Sequence, residues 1–278
     1  MRFGTLRLAS TLLFVALASF GCADLLGGLG GNQGTDDGTT TPPDGTPTVT
    51  TATDIAGIHG FGSVVENADG LVSARLEVVT LGAAPRYLSG IANPTLTHNG
   101  ETIPLLTGSA VGVFVTSSSL APSLTYEAGS LYMFAFEVAD EEGILYSYSA
   151  SVLAPDGPRV IAEAAPVPIR YAAQPIEMTL INASEAVAIQ VVTGGGITYD
   201  TTAVNSLAEV PLVLGLMEDS VGPVVEIPAT AFPTPGSYRI GVTSMNVATP
   251  SEGGFAPGLG LASWFGVGTA DTLILDVQ

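Results

Sequence analysis

The stretch Leu-Tyr-Met-Phe-Ala-Phe-Glu-Val at residues 131–138 is the strongest strand signal in the chain. It is followed by Asp-Glu-Glu-Gly at 140–143 and then by Leu-Tyr-Ser-Tyr-Ser-Ala-Ser-Val at 145–152. Acidic turn residues with a glycine, flanked by aromatic and β-branched runs, predict a β-hairpin. This hairpin indicates that the surrounding region folds as antiparallel sheet.

Short runs of the same kind recur before and after this hairpin. No segment of ten or more residues has helical periodicity, so the sequence predicts an all-β chain built as a sandwich or barrel. The composition agrees, because 34 Gly and 19 Pro with few helix formers favour short strands joined by turns. The predicted strands are 71–81, 102–106, 111–115, 131–138, 144–153, 176–181, 186–192, 197–201, 210–214, 224–227, 238–243 and 272–277.

The chain is long enough for two domains of ordinary size, since it has 278 residues. Two prolines and a glycine fall between Ala154 and Pro158, where one β run ends before another starts. We therefore predict a first sandwich domain at residues 54–155 and a second at 156–278.

Two segments resemble one strand of a known sandwich family. Phe-Pro-Thr-Pro-Gly-Ser-Tyr-Arg-Ile-Gly-Val at 232–242 resembles the start of strand F in immunoglobulin-like and fibronectin type III-like domains. Residues 126–136 are similar and one residue longer. The resemblance implies a tyrosine corner, in which the inward-packed tyrosine caps a nearby backbone group with its hydroxyl. It implies two tandem immunoglobulin-like sandwiches and says nothing about function.

The first 21 residues are typical of a secretory signal peptide. Arg2 and Arg7 precede an apolar run of about a dozen residues, which is too short for a permanent membrane span of roughly 20 residues. Ser-Phe-Gly-Cys at 19–22 resembles the lipobox of bacterial lipoproteins, although leucine is usual at the position of Ser19. The resemblance implies cleavage after Gly21 and lipid attachment to Cys22, which is the only cysteine in the chain.

The alternative is cleavage by the general signal peptidase after Ala18, which would leave Cys22 as a free thiol. In the lipoprotein interpretation, Ala23 follows the lipidated cysteine where an aspartate would retain the protein in the inner membrane. The outer membrane is therefore the expected destination. Residues 22–53 are rich in glycine, threonine and proline and predict a disordered tether between the lipid and the first domain.

Charge limits the choice of partners. The chain has no lysine, and the five arginines after residue 21 face 26 carboxylates, so the mature protein carries a formal charge of −21. Nucleic acid is excluded because its recognition needs basic surfaces that release counterions. Attachment to the membrane is expected only through lipid on Cys22.

The segment 246–269 is rich in glycine, proline and alanine and predicts a long loop in the second domain. Loops at the end of a sandwich often bind partners, which makes Phe255, Trp264 and Phe265 candidate binding residues. The alternative is that Trp264 and Phe265 begin the last strand and pack in the core.

No catalytic or metal-binding motif is present, and no cofactor is predicted. The two histidines, His59 and His98, lie in glycine- or asparagine-rich stretches typical of turns. We therefore predict a non-enzymatic envelope protein with a binding, adhesion or structural role, whose partner is an envelope protein or a glycan. The alternatives are a glycan- or calcium-binding module that uses the loops at one sandwich end, and a hydrolase on an unfamiliar β scaffold.

Overall fold

The computed structural model describes residues 49–51, 57–80, 90–108, 112–139, 145–157, 160–161, 170–182, 184–202, 214, 217–219, 221–250 and 258–278. Nearly all regular structure in these residues is β. The strands are β1 (Val49–Thr51), β2 (Ile58–Glu66), β3 (Val72–Thr80), β4 (Gly90–His98), β5 (Glu101–Pro104), β6 (Leu106–Thr107), β7 (Val113–Ser117), β8 (Leu131–Ala139), β9 (Leu145–Leu153), β10 (Val160–Ile161), β11 (Ile176–Ile181), β12 (Ala186–Thr193), β13 (Gly196–Asp200), β14 (Val224–Ile227), β15 (Gly236–Ala248) and β16 (Trp264–Val277).

The strands form three sheets. The first has the order β1-β9-β8-β4-β5, the second β10-β11-β14, and the third β13-β12-β15-β16-β2-β3-β7-β6. The predicted hairpin is confirmed, because β8 and β9 pair antiparallel from Leu131↔Leu153 to Ala139↔Leu145. A second hairpin joins β4 to β5 through Asn99 and Gly100, whose positive φ angles of 50° and 80° suit a two-residue primed turn.

The first core lies between the five-stranded sheet and one end of the eight-stranded sheet. Buried aromatic side chains of β8 and β9 face the buried aliphatic side chains of β3 across it. Alternation along β8 explains this packing, because Tyr132, Phe134, Phe136 and Val138 are buried and the residues between them are not.

The second core lies between β11 and β14 on one side and the other end of the eight-stranded sheet on the opposite side. It is built from aliphatic residues of β11, β12, β14, β15 and β16, together with Phe232 and Tyr238. The ring of Phe232 meets that of Tyr238 edge-on at a centroid distance of 5.2 Å. Among the described residues, the buried apolar side chains thus form two large clusters, and a third, smaller cluster contains Met217 and Met245.

The last strand, β16, contributes buried side chains to both cores. Its first half pairs parallel with β2, from Trp264↔Phe61 to Thr269↔Glu66, while residues 265–277 pair antiparallel with β15. Phe265 and Val267 are fully buried in the first core, whereas Leu275 and Val277 lie in the second. The eight-stranded sheet is thus continuous from one core to the other.

Two glycines of β2 make room for this arrangement. A Cβ atom built on Gly60 would lie 2.9 Å from Cζ of Phe265, and one built on Gly62 would overlap the same ring. The ring of Phe265 also packs against Phe134, with centroids 5.1 Å apart. The Phe265 side chain therefore occupies space that ordinary side chains at positions 60 and 62 would fill.

Both expected tyrosine corners are formed. The Tyr238 hydroxyl donates to the Thr234 carbonyl at 2.6 Å and accepts from the Thr234 amide at 3.3 Å. The Tyr132 hydroxyl donates to the Thr125 carbonyl at 2.9 Å and accepts from the Glu127 amide at 2.8 Å. Burial raises the pKa of Tyr132 to about 12, so its hydroxyl keeps the proton that it donates.

Replacing Tyr238 with phenylalanine should lower the free energy of unfolding by about 1–2 kcal/mol, because two backbone groups of Thr234 lose their partner while the ring stays packed. Urea unfolding of residues 49–278 measures this change. Tyr171→Phe is the control, since Tyr171 is 53% exposed and its substitution should change stability by no more than about 0.5 kcal/mol. Equal stability of both variants would contradict the corner's role.

Several predicted bounds differ from the structure. Residues 49–51, assigned to the tether 22–53, form β1, which pairs parallel with β9. The predicted loop 246–269 is shorter, because β15 extends to Ala248 and β16 begins at Trp264. Of the predicted strand 210–214, only Leu214 is described, and it is helical. A boundary at 155/156 does not separate the two cores, since Leu259, Phe265 and Val267 belong to the first.

Strands β2 and β4 are absent from the predictions for a local reason. β2 contains Gly60 and Gly62, and glycine is depleted in strands. β4 contains Pro94 beside Asn93, whose φ of 50° marks a bulge between Ala92 and Thr95. Both strands are stabilised by their sheet partners rather than by their own residue preferences.

Candidate functional site

Of the predicted binding residues of the loop 246–269, the structure describes Trp264 and Phe265. Phe255 lies outside the described residues, as do Gly21 and Cys22. The Phe265 side chain is fully buried in the first core, so it is not available to a ligand. Trp264 is half-buried and meets Phe61 edge-on at 6.4 Å, on the opposite face of the same sheet. The physical reason is that β16 starts earlier than its composition indicated.

Both histidines lie in strands rather than in turns. His59 of β2 is half-buried with its ring directly against Gly260, and burial lowers its pKa. Its Nδ1 atom is buried and has no hydrogen-bond partner among the residues that the structure describes. His59 therefore remains mostly neutral near neutral pH and packs the 258–263 segment onto β2.

His98 is the last residue of β4 and is 2% exposed. Its ring stacks on Tyr132 with centroids 4.1 Å apart and an interplanar angle of 3°. Within the described part of the chain, neither ring nitrogen has a hydrogen-bond partner, and Nε2 lies 4.0 Å from a carboxylate oxygen of Glu127. The His98 ring therefore packs directly against the tyrosine corner.

One ion pair is nearly buried. A guanidinium nitrogen of Arg75 lies 2.8 Å from a carboxylate oxygen of Glu77, and the Glu77 side chain is 3% exposed. Both residues lie on β3, two positions apart, and therefore on the face away from the first core. Pairing compensates the burial of the Glu77 carboxylate and gives this ion pair a structural role.

Within the described ranges, no group of three or more His, Cys, Asp or Glu side chains is placed to hold a metal ion. The described part of the chain also contains no helix that is both long and apolar enough to cross a membrane.

A groove lies on the solvent side of β4, β8 and β9, with a cavity volume of about 300 Å³. Its floor is Ala135, and the side chains around it are Asn93, Thr95, Glu137, Ser147 and Ser149. The Asn93 amide donates to a carboxylate oxygen of Glu137 at 2.7 Å, which holds that carboxylate at one end of the groove. The groove is the candidate functional site.

Sequence reasoning missed this groove. The polar residues Ser147 and Ser149 alternate with inward residues of β9, which predicts a solvent-facing row on that strand. Thr95 and Asn93 lie on the same face as these serines only because β4 pairs with β8. The sequence did not predict β4 as a strand. The bulge at Asn93 then brings its amide to Glu137, a contact 44 residues apart in sequence.

Comparisons with known proteins give little guidance. No protein-family model matches the sequence, and no curated protein matches it. Among solved structures, the FN1–FN3 domains of chicken CNTN1 align with 84% of this chain and 67% of their own, at 10% identity and a TM-score of 0.25. Dimeric latent PorU from Porphyromonas gingivalis aligns over 77% of this chain and 19% of its own, at 16% identity and a TM-score of 0.20.

A third structure is Bacteroides ovatus SGBP-B from a mixed-linkage glucan utilization locus, in complex with a mixed-linkage heptasaccharide. It aligns with 85% of this chain and 72% of its own, at 11% identity and a TM-score of 0.19. Likenesses at this level carry no argument about a ligand. The fold and the candidate site therefore rest on the strands, cores and side chains described above.

Proposed function

We propose that this chain is an exported lipoprotein that is anchored through lipid on Cys22, in the outer membrane, and has a non-enzymatic binding role in the cell envelope. The observation that carries the proposal is the position of Cys22. The only cysteine follows an apolar segment of signal-peptide length and precedes a linker that leads to β1. Acyl chains on that cysteine would bury enough methylene groups, at about 0.8 kcal/mol each, to hold the protein stably.

The linker sets the reach of the anchored protein. In this proposal residues 23–48 separate the lipid from β1, which is an edge strand of the five-stranded sheet and pairs with β9. A glycine-rich chain of this length has an r.m.s. span of about 30 Å and an extended limit of about 90 Å. The β-sandwiches would then work at a short distance from the membrane and bind neighbours in the same envelope.

The binding role is supported by the groove on β4, β8 and β9. It is open to solvent, it holds one oriented carboxylate, and its hydroxyl groups are aligned across adjacent strands. Such a surface has the polar groups that fix a ligand's orientation. We propose that it, rather than the segment 246–269, binds the partner.

Replacing Cys22 with serine should move the protein from the membrane fraction to the soluble envelope fraction, because the sulfur that receives the lipid is lost. Fractionation and mass spectrometry of the mature N-terminus measure this. Ala23→Ser is the control, since it keeps the cysteine and should stay in the membrane. A wild-type mature chain that begins at Ser19 and carries no acyl group would overturn the lipoprotein proposal.

A further inference from the structure

The solvent-facing side chains of the five-stranded sheet change in character along β8. Leu131, Met133, Ala135 and Glu137 alternate with the four buried residues of this strand and therefore share its outer face. Leu131 is 56% exposed and lies opposite Leu153, which is 53% exposed. The outer face thus begins with an apolar end and finishes with a carboxylate.

The middle of this face is lined by hydroxyl groups. Ala135 lies between Thr95 on β4 and Ser149 on β9, and Met133 lies between Thr97 and Ser151. Ala135, Thr95 and Ser149 have small side chains, and all three line the groove described above. From Leu131 to Glu137 the face is about 20 Å long, at roughly 3.3 Å per residue.

The charge of the face points to the chemistry of its partner. Among the described residues, Glu137 is the only charged one that lines the groove, and the Asn93 amide donates to one of its carboxylate oxygens. A basic side chain can bind the other oxygen with a charge-assisted hydrogen bond. The mature chain has a formal charge of −21 and no lysine, so a basic partner is also favoured at longer range.

The placement of aromatic rings distinguishes a protein partner from a glycan. Tyr132, Phe134, Phe136 and Tyr148 of β8 and β9 all point into the first core and are buried. They cannot stack on a sugar ring from the groove. The exposed apolar residues are the aliphatic Leu131, Leu153 and Met133, which suit aliphatic side chains of a peptide.

We propose that the outer face of β4, β8 and β9 binds an extended peptide segment of a partner protein, about six or seven residues long. A lysine or arginine at one end of the segment pairs with Glu137. Aliphatic residues at the other end cover Leu131, Met133 and Leu153. The hydroxyl groups between these ends meet the partner's polar groups. This inference rests on the proposed binding function and assigns it a surface and a partner chemistry.

The test uses the full chain in the cells that produce it, with a photo-reactive residue in place of Ser151 at the rim of the groove. We expect a protein adduct whose yield falls at least five-fold in Glu137→Lys. Glu177→Lys is the matched control, because Glu177 is an exposed carboxylate on β11 of the second core, and it should change the yield less than two-fold. In the adduct, the cross-linked residue should lie within about six residues of a lysine or arginine.

Three results would overturn the inference: no protein adduct, a glycan adduct, or an equal loss of yield in Glu137→Lys and Glu177→Lys. A photo-reactive residue in place of Thr179, on the exposed face of β11, measures background labelling. Membrane fractionation of the same cells reports separately on the lipid anchor, so failure of the anchor and failure of the binding face give different results.

Discussion

A chain of residues 49–157 is expected not to fold into a stable β-sandwich, although it contains the whole predicted first domain. The reason is that the first core includes Leu259, Phe265 and Val267, which come from the other end of the chain. Burial of these three side chains contributes about 6 kcal/mol at roughly 2 kcal/mol each. That is comparable to the total stability of an ordinary domain, which is about 5–15 kcal/mol.

The truncation also removes backbone pairing. β2 loses six parallel pairs with β16, and Gly60 and Gly62 are left facing the space of the Phe265 ring. An unpaired edge next to an open core exposes backbone groups and apolar surface to water. Far-UV circular dichroism during heating measures the outcome, with residues 49–278 as the control. A cooperative thermal transition in 49–157 would show that the first sandwich is independent of β16.

Replacing Phe265 with alanine in residues 49–278 is expected to lower the free energy of unfolding by about 3–5 kcal/mol. The effect should fall near the top of that range, because Gly60 and Gly62 have no side chains that could fill the cavity. Since β16 also pairs with β15 along its length, we expect a single unfolding transition in which both cores are lost together. Urea unfolding followed by circular dichroism measures both quantities.

Leu261→Ala is the control for this substitution, because Leu261 is 86% exposed and lies three residues before β16. It should change stability by no more than about 0.5 kcal/mol. If Phe265→Ala behaves like Leu261→Ala, the packing of Phe265 against Phe134 does not stabilise the first core. Two separate unfolding transitions in Phe265→Ala, with only the transition of the first core at lower urea concentration, would instead show that the cores unfold independently.

The candidate groove could not be predicted from individual strands, because it depends on which strands pair with each other. The hydroxyl row of β9 and the alternation of β8 can be predicted from residue order, because each depends only on the two-residue period of a strand. Glu137 becomes part of a groove only when Asn93 reaches it across the β4–β8 pairing. No local sequence pattern predicts that pairing, because Asn93 and Pro94 are residues that are uncommon inside strands.

Local chemistry in the sequence was sufficient for the all-β class, the β8–β9 hairpin and the tyrosine corners. Each depends on residues close in the chain: the Tyr238 hydroxyl donates to the Thr234 carbonyl, and the antiparallel strands β8 and β9 are separated by only five residues of sequence. The tertiary structure alone decided that β16 completes the first core. The Gly60 amide donates a hydrogen bond to the hydroxyl of Ser263, which lies 203 residues away in the sequence. Because parallel strands at that separation are not joined by a tight turn, no local sequence signal predicts their pairing.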